Sequence, residues 1–358
     1  MHIVYGVAFL AAFILSSLLT PRIKRLALKY KIVDNPSKER KIHTSPIPLL
    51  GGASVIISFL SVVAVSSAVG WMNDGIIEVG QIVGIVLGSC VLMIGGYLDD
   101  KYELSPGKSF MFPVLASLVA VMSGIAIKYV TNPFIAGSGP YGRALFYFEW
   151  VDLSFISFAG LFSFLWILGM IYTTKFLDGL DGLVTGIGSI GAIILFIVSL
   201  FWDVPMSATS ILCLIMTGSL LGFLIYNFHP AKIFLGEGGA TWVGFMLGVL
   251  AIISGGKIAT ALLVMGLPIL DVVWSITRRL VAGKHIYTAD RKHLHFRLLD
   301  SGLSHRKTVL LLYLVSLIFG VSSLFLQSSD KVIALGILMV VMIILATASV
   351  VVYKRKNT

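Results

Sequence analysis

The chain has 358 residues, 57% of them hydrophobic and only 12% charged, with a formal net charge of +10 and a mean hydropathy of +0.97. Soluble domains are about one quarter charged, so this balance excludes a large water-soluble core and points to lipid contact. The two cysteines, Cys90 and Cys213, both lie in apolar stretches. They are read as packing residues, without a disulfide framework or a cysteine metal site.

Eleven apolar stretches approach the length of about 20 residues that a helix needs to cross a bilayer. They run over 3–20, 50–69, 79–97, 110–128, 154–172, 185–202, 208–227, 240–254, 258–276, 309–326 and 332–352. The first has its basic residues after it, from Arg22 onward, and is expected to be a retained helix. The eighth is short and contains glycine. Residues 131–153, rich in Gly, Pro and aromatics, read as an external loop or hairpin.

Alternating the connecting loops separates the basic residues. Loops 21–49, 98–109, 173–184, 228–239 and 277–308 and the C-terminal tail hold 23 of the 27 Lys and Arg. The opposite side holds only Lys128, Arg143, Lys257 and Lys331. The rule that basic loops stay inside places the first set in the cytoplasm. The expected fold is an all-α polytopic membrane protein, a single integral membrane domain of about eleven transmembrane helices, with its N-terminus outside and its C-terminus cytoplasmic. Topology and attraction to anionic headgroups account for the positive charge, with no nucleic-acid partner.

Eleven of the 17 acidic residues fall at or near the inner face. The orientation rule does not require this, and a charge at a helix centre costs roughly 2.5–3.5 kcal/mol on insertion scales. Asp99 and Asp100 are adjacent in Gly95-Gly96-Tyr97-Leu98-Asp99-Asp100-Lys101. They repel each other unless a divalent cation or basic groups stand near. Asp178 and Asp181 are three apart in Lys175-Phe176-Leu177-Asp178-Gly179-Leu180-Asp181-Gly182, a spacing that shares one helix face. Glu237, in Phe234-Leu235-Gly236-Glu237-Gly238-Gly239, leads into a helix, an arrangement suited to phosphate or metal. The bases of Asp290-Arg291-Lys292-His293-Leu294-His295 suit a diphosphate. Zinc is disfavoured there, because no cysteine is near and the histidines are two apart. Segment 35–48, with Lys41, His43 and three prolines, reads as an ordered basic loop.

Each cluster alone also has a plain reading as a solvated turn, a stop signal or a topology-setting loop, least so the paired Asp-Gly motif of Asp178 and Asp181. Together they combine hard carboxylate oxygens suited to Mg²⁺, with Mn²⁺ as a substitute, basic loops for phosphate, and a scaffold open to lipid. That combination points to phosphoryl transfer at the membrane surface. A lipid-phosphate or ion transporter is the alternative of a different class, although transporters hold ionisable groups nearer the midplane.

The motif order resembles the polyprenyl-phosphate N-acetylhexosamine-1-phosphate transferases, of glycosyltransferase family 4 type, from about Pro21 to His305. The resemblance rests on Arg40-Lys41-x-His43 with Pro46-x-Pro48 and Gly51-Gly52, on Leu98-Asp99-Asp100-Lys101-Tyr102, and on Asp178-Gly-Leu-Asp181-Gly-Leu. Phe234-Leu-Gly-Glu237 and Asp290-Arg-Lys-His293-Leu-His295 complete it. The last motif is closer to the GlcNAc-1-phosphate branch than to the pentapeptide branch. The resemblance implies transfer of a sugar-1-phosphate from a UDP-N-acetylhexosamine to polyprenyl phosphate, with release of UMP. The setting it implies is the bacterial cytoplasmic membrane, with the site on the cytoplasmic face and a homodimer among the expected partners. It makes Asp99, Asp100 and Asp178 catalytic, the first two handling the lipid phosphate. It makes Asp178 and Glu237 metal ligands, turns Asp181 toward uridine, and stacks Phe234 on uracil beside Asn227. Lys41, His43, Lys108, Lys175, Arg291, His293 and His295 are the remaining expected substrate contacts.

Four positions depart from the family pattern. Lys175 stands where Asn is usual, Glu237 where Asp is usual, Ala240 where a small hydroxyl residue is usual, and Phe296 where a histidine is usual. They leave an unusual donor sugar, low activity or a paralog of altered or lost activity open.

Overall fold

A computed structural model describes residues 2–36, 45–73, 77–127, 129–131, 144–147, 158–202, 207–255, 257–283, 293–326 and 328–357. Helix α1 (His2–Lys29) leads into a short antiparallel pair, β1 (Val33–Asp34) and β2 (Ile47–Pro48), with Val33 opposite Pro48 and Asp34 opposite Ile47. Then come α2 (Gly51–Ala68), α3 (Val79–Tyr102) and α4 (Pro106–Met122). A second antiparallel pair, β3 (Tyr129–Thr131) and β4 (Ala144–Tyr147), accounts for part of the expected external hairpin. The chain continues through α5 (Phe158–Leu177), α6 (Leu183–Trp202), α7 (Ala208–Asn227) and α8 (Gly236–Ile253). It ends with α9 (Ile258–Val264), α10 (Gly266–Val281), α11 (Leu294–Asp300), α12 (His305–Phe325) and α13 (Ser328–Asn357).

Among the described residues, nine helices are long and apolar enough to cross a membrane. The chain is a multi-pass membrane protein. Two of the eleven expected stretches differ from single long helices. The fourth falls on α4, an apolar helix of 17 residues. The ninth, expected as one span over 258–276, is broken between α9 and α10 by a bend of 78°. Pro268 supplies the reason, since a helix continued through it would drive its ring into the carbonyl of Val264, the residue at which α9 ends.

Several supposed loops are partly helical. Helix α1 continues to Lys29, so 21–29 belongs to it, and α3 runs through Asp99 and Asp100 to Tyr102. Lys175 lies in the last turn of α5 and Glu237 in the first turn of α8. A helix needs no apolar side chain to continue past the bilayer, so hydropathy places the lipid boundary and not the helix end.

Helix α8 lies at the centre, with nearly every side chain buried and with α2, α3 and α5 around it. The indole N–H groups of the helix contacts are satisfied. Trp242 donates to Ser89 Oγ at 2.9 Å, and Trp166 donates to the carbonyl of Gly248 at 3.0 Å. The periphery instead exposes large apolar side chains, such as Leu165, Leu314 and Ile344, as a lipid-facing surface does. The segment before α2 is stitched to the segment before α8. Phe234 N–H donates to the Pro48 carbonyl at 2.9 Å, and Gly51 N–H donates to the Phe234 carbonyl at 3.0 Å.

Candidate active site

The C-terminal ends of α3 and α5 meet the N-terminal end of α8. Helix α8 starts after Leu235 without a side-chain cap of its own. The Glu237 N–H instead donates to Asp100 Oδ1 at 3.1 Å, so a residue of α3 supplies an acceptor to the open end of α8. Glycine makes this approach possible. A Cβ on Gly96 would lie 2.1 Å from the Gly238 Cα. Asp99, half-buried, is hydrogen-bonded by the Leu104 backbone and the Ser109 hydroxyl. Its Oδ1 has no hydrogen-bond partner among the described residues.

Lys175 stands among these acids and pairs with one of them. Its Nζ lies 2.5 Å from Glu237 Oε1 and donates to Ser109 Oγ at 3.1 Å. It also lies 5.7 Å from the Tyr172 ring centroid, within cation–π range. Glu237, expected as a metal ligand, therefore has an ammonium on one of its oxygens.

Asp178 lies in the turn after α5. Its side chain is exposed to solvent on one side, with protein close around the rest of the carboxyl. Lost hydration first, and then the charges of Glu237 and Asp181, push its carboxyl up to about 7. Asp181 Oδ2 is 2.7 Å from His229 Nδ1 and accepts the Ala231 N–H at 3.1 Å. His229 stacks on His305 with centroids 4.0 Å apart and 14° between the planes. Ligand atoms of Asp181, His229 and His305 lie within 4.8 Å of one another. Imidazole lone pairs point along the ring plane, and two nearly parallel stacked rings do not converge on one ion. We therefore read this cluster as a brace that orients Asp181.

The histidine motif enters as α11. His293 Nδ1 is 2.8 Å from Asp271 Oδ2, and the Leu294 N–H donates to Asp271 Oδ1 at 2.9 Å. The His293 ring stacks between Phe176 and His295, at 6.0 Å and 5.7 Å. His295 is buried against the Asp178–Asp181 turn. A Cβ on Gly179 would lie 2.4 Å from its Nε2. Burial, outweighing the nearby Asp271 charge, lowers its ring to about 4, so the imidazole is neutral. Its Nε2 has no partner among the described residues.

Asp99, Asp100, Lys175, Asp178 and Glu237 are thus brought together, and Asp181, His293 and His295 lie on the adjoining wall. Lys108 is exposed in the first turn of α4, next to Ser109. Asn227 is buried, with Thr185 Oγ1 donating to its amide oxygen at 2.8 Å and its Nδ2 donating to the Ile233 carbonyl at 3.1 Å. It braces the loop that carries Phe234. Lys41, His43 and Arg291 lie outside the described residues. Sequence reasoning did not select Ser109, His229, Asp271 or His305. Asp271 had a signal, a carboxylate within an apolar stretch, whereas Ser109 had none.

Beside this cluster, a cavity of about 270 Å³ opens between α2, α3 and α8. Its walls are apolar, with Leu50, Ile56, Met93, Ile94 and Leu235, and Asp100 lies at its lining.

Comparison with known proteins identifies the family. Residues 82–255 match the model of the family described as "Glycosyl transferase family 4". A Bacillus subtilis protein named probable undecaprenyl-phosphate N-acetylglucosaminyl 1-phosphate transferase is 32% identical over 343 residues, covering 94% of this chain and 89% of its own length. Decaprenyl-phosphate N-acetylglucosaminephosphotransferase of Mycolicibacterium smegmatis is 31% identical, over 94% of this chain and 86% of its own. Phospho-N-acetylmuramoyl-pentapeptide-transferase of Shouchella clausii is 27% identical, over 89% of this chain and 94% of its own. With similarity of this extent along nearly its whole length, the chain belongs to glycosyl transferase family 4.

Proposed function

We propose that this protein transfers N-acetylglucosamine-1-phosphate from UDP-N-acetylglucosamine to a polyprenyl phosphate, for envelope glycan synthesis. The reaction takes place at the cytoplasmic face of a bacterial cytoplasmic membrane, with the N-terminus outside. The observation that carries this reading is the apolar cavity that borders Asp100 next to the acidic cluster. A prenyl chain needs an apolar wall, and its phosphate needs a polar end. The relatives' names supply the substrate classes.

In the reaction an oxygen of the lipid phosphate attacks the β-phosphorus of the sugar nucleotide. The bond from that phosphorus to the bridging oxygen breaks, and UMP leaves with the bridging oxygen. Asp99, half-buried next to the cavity-lining Asp100, accepts a proton from the lipid phosphate or holds it in line. Neutral His295 and the braced His293 face the sugar-diphosphate side. Asp178 offers a hard carboxylate oxygen and would hold a Mg²⁺ ion. When bound, Mg²⁺ or Mn²⁺ supplies charge neutralisation for the diphosphate.

The test uses the purified full chain in nanodiscs with undecaprenyl phosphate, Mg²⁺ and a panel of UDP-N-acetylhexosamines. UMP release is expected, and Asp178→Asn should reduce it by about 100-fold or more. No UMP from any donor in the panel would end this reading.

A further inference from the structure

We infer that Lys175 is a tethered cation standing, against Glu237, in place of a metal contact, with a donor left for the diphosphate of the sugar nucleotide. The diphosphate in this statement rests on the transferase reading above. The position of the cation does not.

Three contacts fix the ammonium. Nζ lies 2.5 Å from Glu237 Oε1, 3.1 Å from Ser109 Oγ and 5.7 Å from the Tyr172 ring centroid. The Lys175 and Glu237 side chains are only 24% and 19% exposed, so the pair is largely removed from water. An ammonium has three donors, and Glu237 and Ser109 accept two of them. A Mg²⁺ ion ligated by Glu237 would need to come within about 2.1 Å of its oxygen. At Oε1 it would meet the ammonium, and two cations would compete for one acceptor.

The two departures at these positions are complementary. The resemblance puts a neutral Asn at 175 and a short Asp at 237. Here a cation faces a longer carboxylate, and each change completes the other. Asp178, three residues beyond Lys175 and past the end of α5, keeps its carboxylate for a metal ion. The site therefore divides its positive charge between one fixed ammonium and one exchangeable ion at Asp178.

Mn²⁺ binding by the substrate-free full chain in nanodiscs, followed by electron paramagnetic resonance, tests this without turnover. In the Lys175 protein, Asp178→Asn should weaken Mn²⁺ binding and Glu237→Gln should leave it unchanged. Lys175→Asn should tighten it by about tenfold or more, the scale on which groups around a ligand change metal affinity. Glu237→Gln should weaken binding once Asn is in place. Should Lys175→Asn fail to elute as a monodisperse species, Lys175→Gln takes its place in the same titration. Loss of Mn²⁺ affinity in the Glu237→Gln single variant, or unchanged affinity on neutralising Lys175, overturns the inference. Absence of UMP release would end the transferase reading and leave the Mn²⁺ result standing.

Discussion

Asp100 on α3 accepts the backbone N–H of Glu237 on α8 at 3.1 Å, across a sequence separation of 137 residues. This single bond ties the acidic end of one helix to the open start of another. Removing the acceptor leaves an N–H group half-buried and unpaired. Asp100→Ala should lower stability by about 1–2 kcal/mol, the usual value of a lost N-terminal cap, whereas Asp100→Asn keeps an acceptor oxygen and should lose less. Thermal unfolding of the two variants in the same detergent checks this. Equal losses in both would mean that the charge, and not the acceptor, holds the junction.

Asp271 serves α11 in a similar way, accepting from the Leu294 N–H and pairing with the His293 ring. Both partners are buried. Asp271→Ala should destabilise the protein by about 1–3 kcal/mol, because two buried groups lose their partner at once. It should also reduce UMP release, since α11 carries His293 and His295. Retained turnover together with lowered stability would show that the placement of α11 is not needed for the reaction.

His295 gives a pH dependence with a definite sign. Its folded-state value, about 4, lies below the 6.5 of an unperturbed imidazole. Between these values the unfolded chain binds the proton and the folded chain does not, so stability falls as pH drops through this window and is fully present above it. The full shift corresponds to about 3 kcal/mol. His295→Asn should flatten the stability profile between pH 6.5 and 4 relative to the parent. Superimposable slopes over that range would refute the buried neutral imidazole.

Close backbone packing at the junction predicts a contrast between two glycines. A Cβ on Gly96 would strike the Gly238 backbone, whereas one on Gly107 meets nothing within 4 Å. Gly96→Ala should cost about 1–3 kcal/mol through overpacking and should reduce turnover, because it displaces Glu237 from Asp100. Gly107→Ala, in the first turn of α4, should be neutral or stabilising by up to about 1 kcal/mol. Unfolding curves of the two variants measured side by side separate these outcomes.

Much of this was legible in the residues themselves. Apolar stretches located the helices, because hydropathy is a local property that a bilayer reads directly. The sparse acids marked the candidate site, since a carboxylate at the end of a span is costly unless it has a task. Helix ends were misplaced where hydropathy stops before the helix does, as at Lys29, Asp99 and Lys175. The bend at Val264 had a local cause in Pro268, which a hydropathy window averages away. Asn227 and His229 illustrate the limit. The resemblance sets Asn227 beside uracil, yet it is consumed in bracing its own loop, and His229, which sequence reasoning did not select, braces Asp181.

Composition and motif order determined by themselves that this is a multi-helix membrane protein and which carboxylates are candidates for its site. Only the tertiary structure decided what each carboxylate faces. Asp100 meets the start of α8, Asp178 stays open, Asp181 meets His229, and Glu237 meets Lys175. Such pairings depend on the rotation and close approach of whole helices, set by small residues such as Gly96 and Gly238 far apart in the chain. A local pattern carries no record of them.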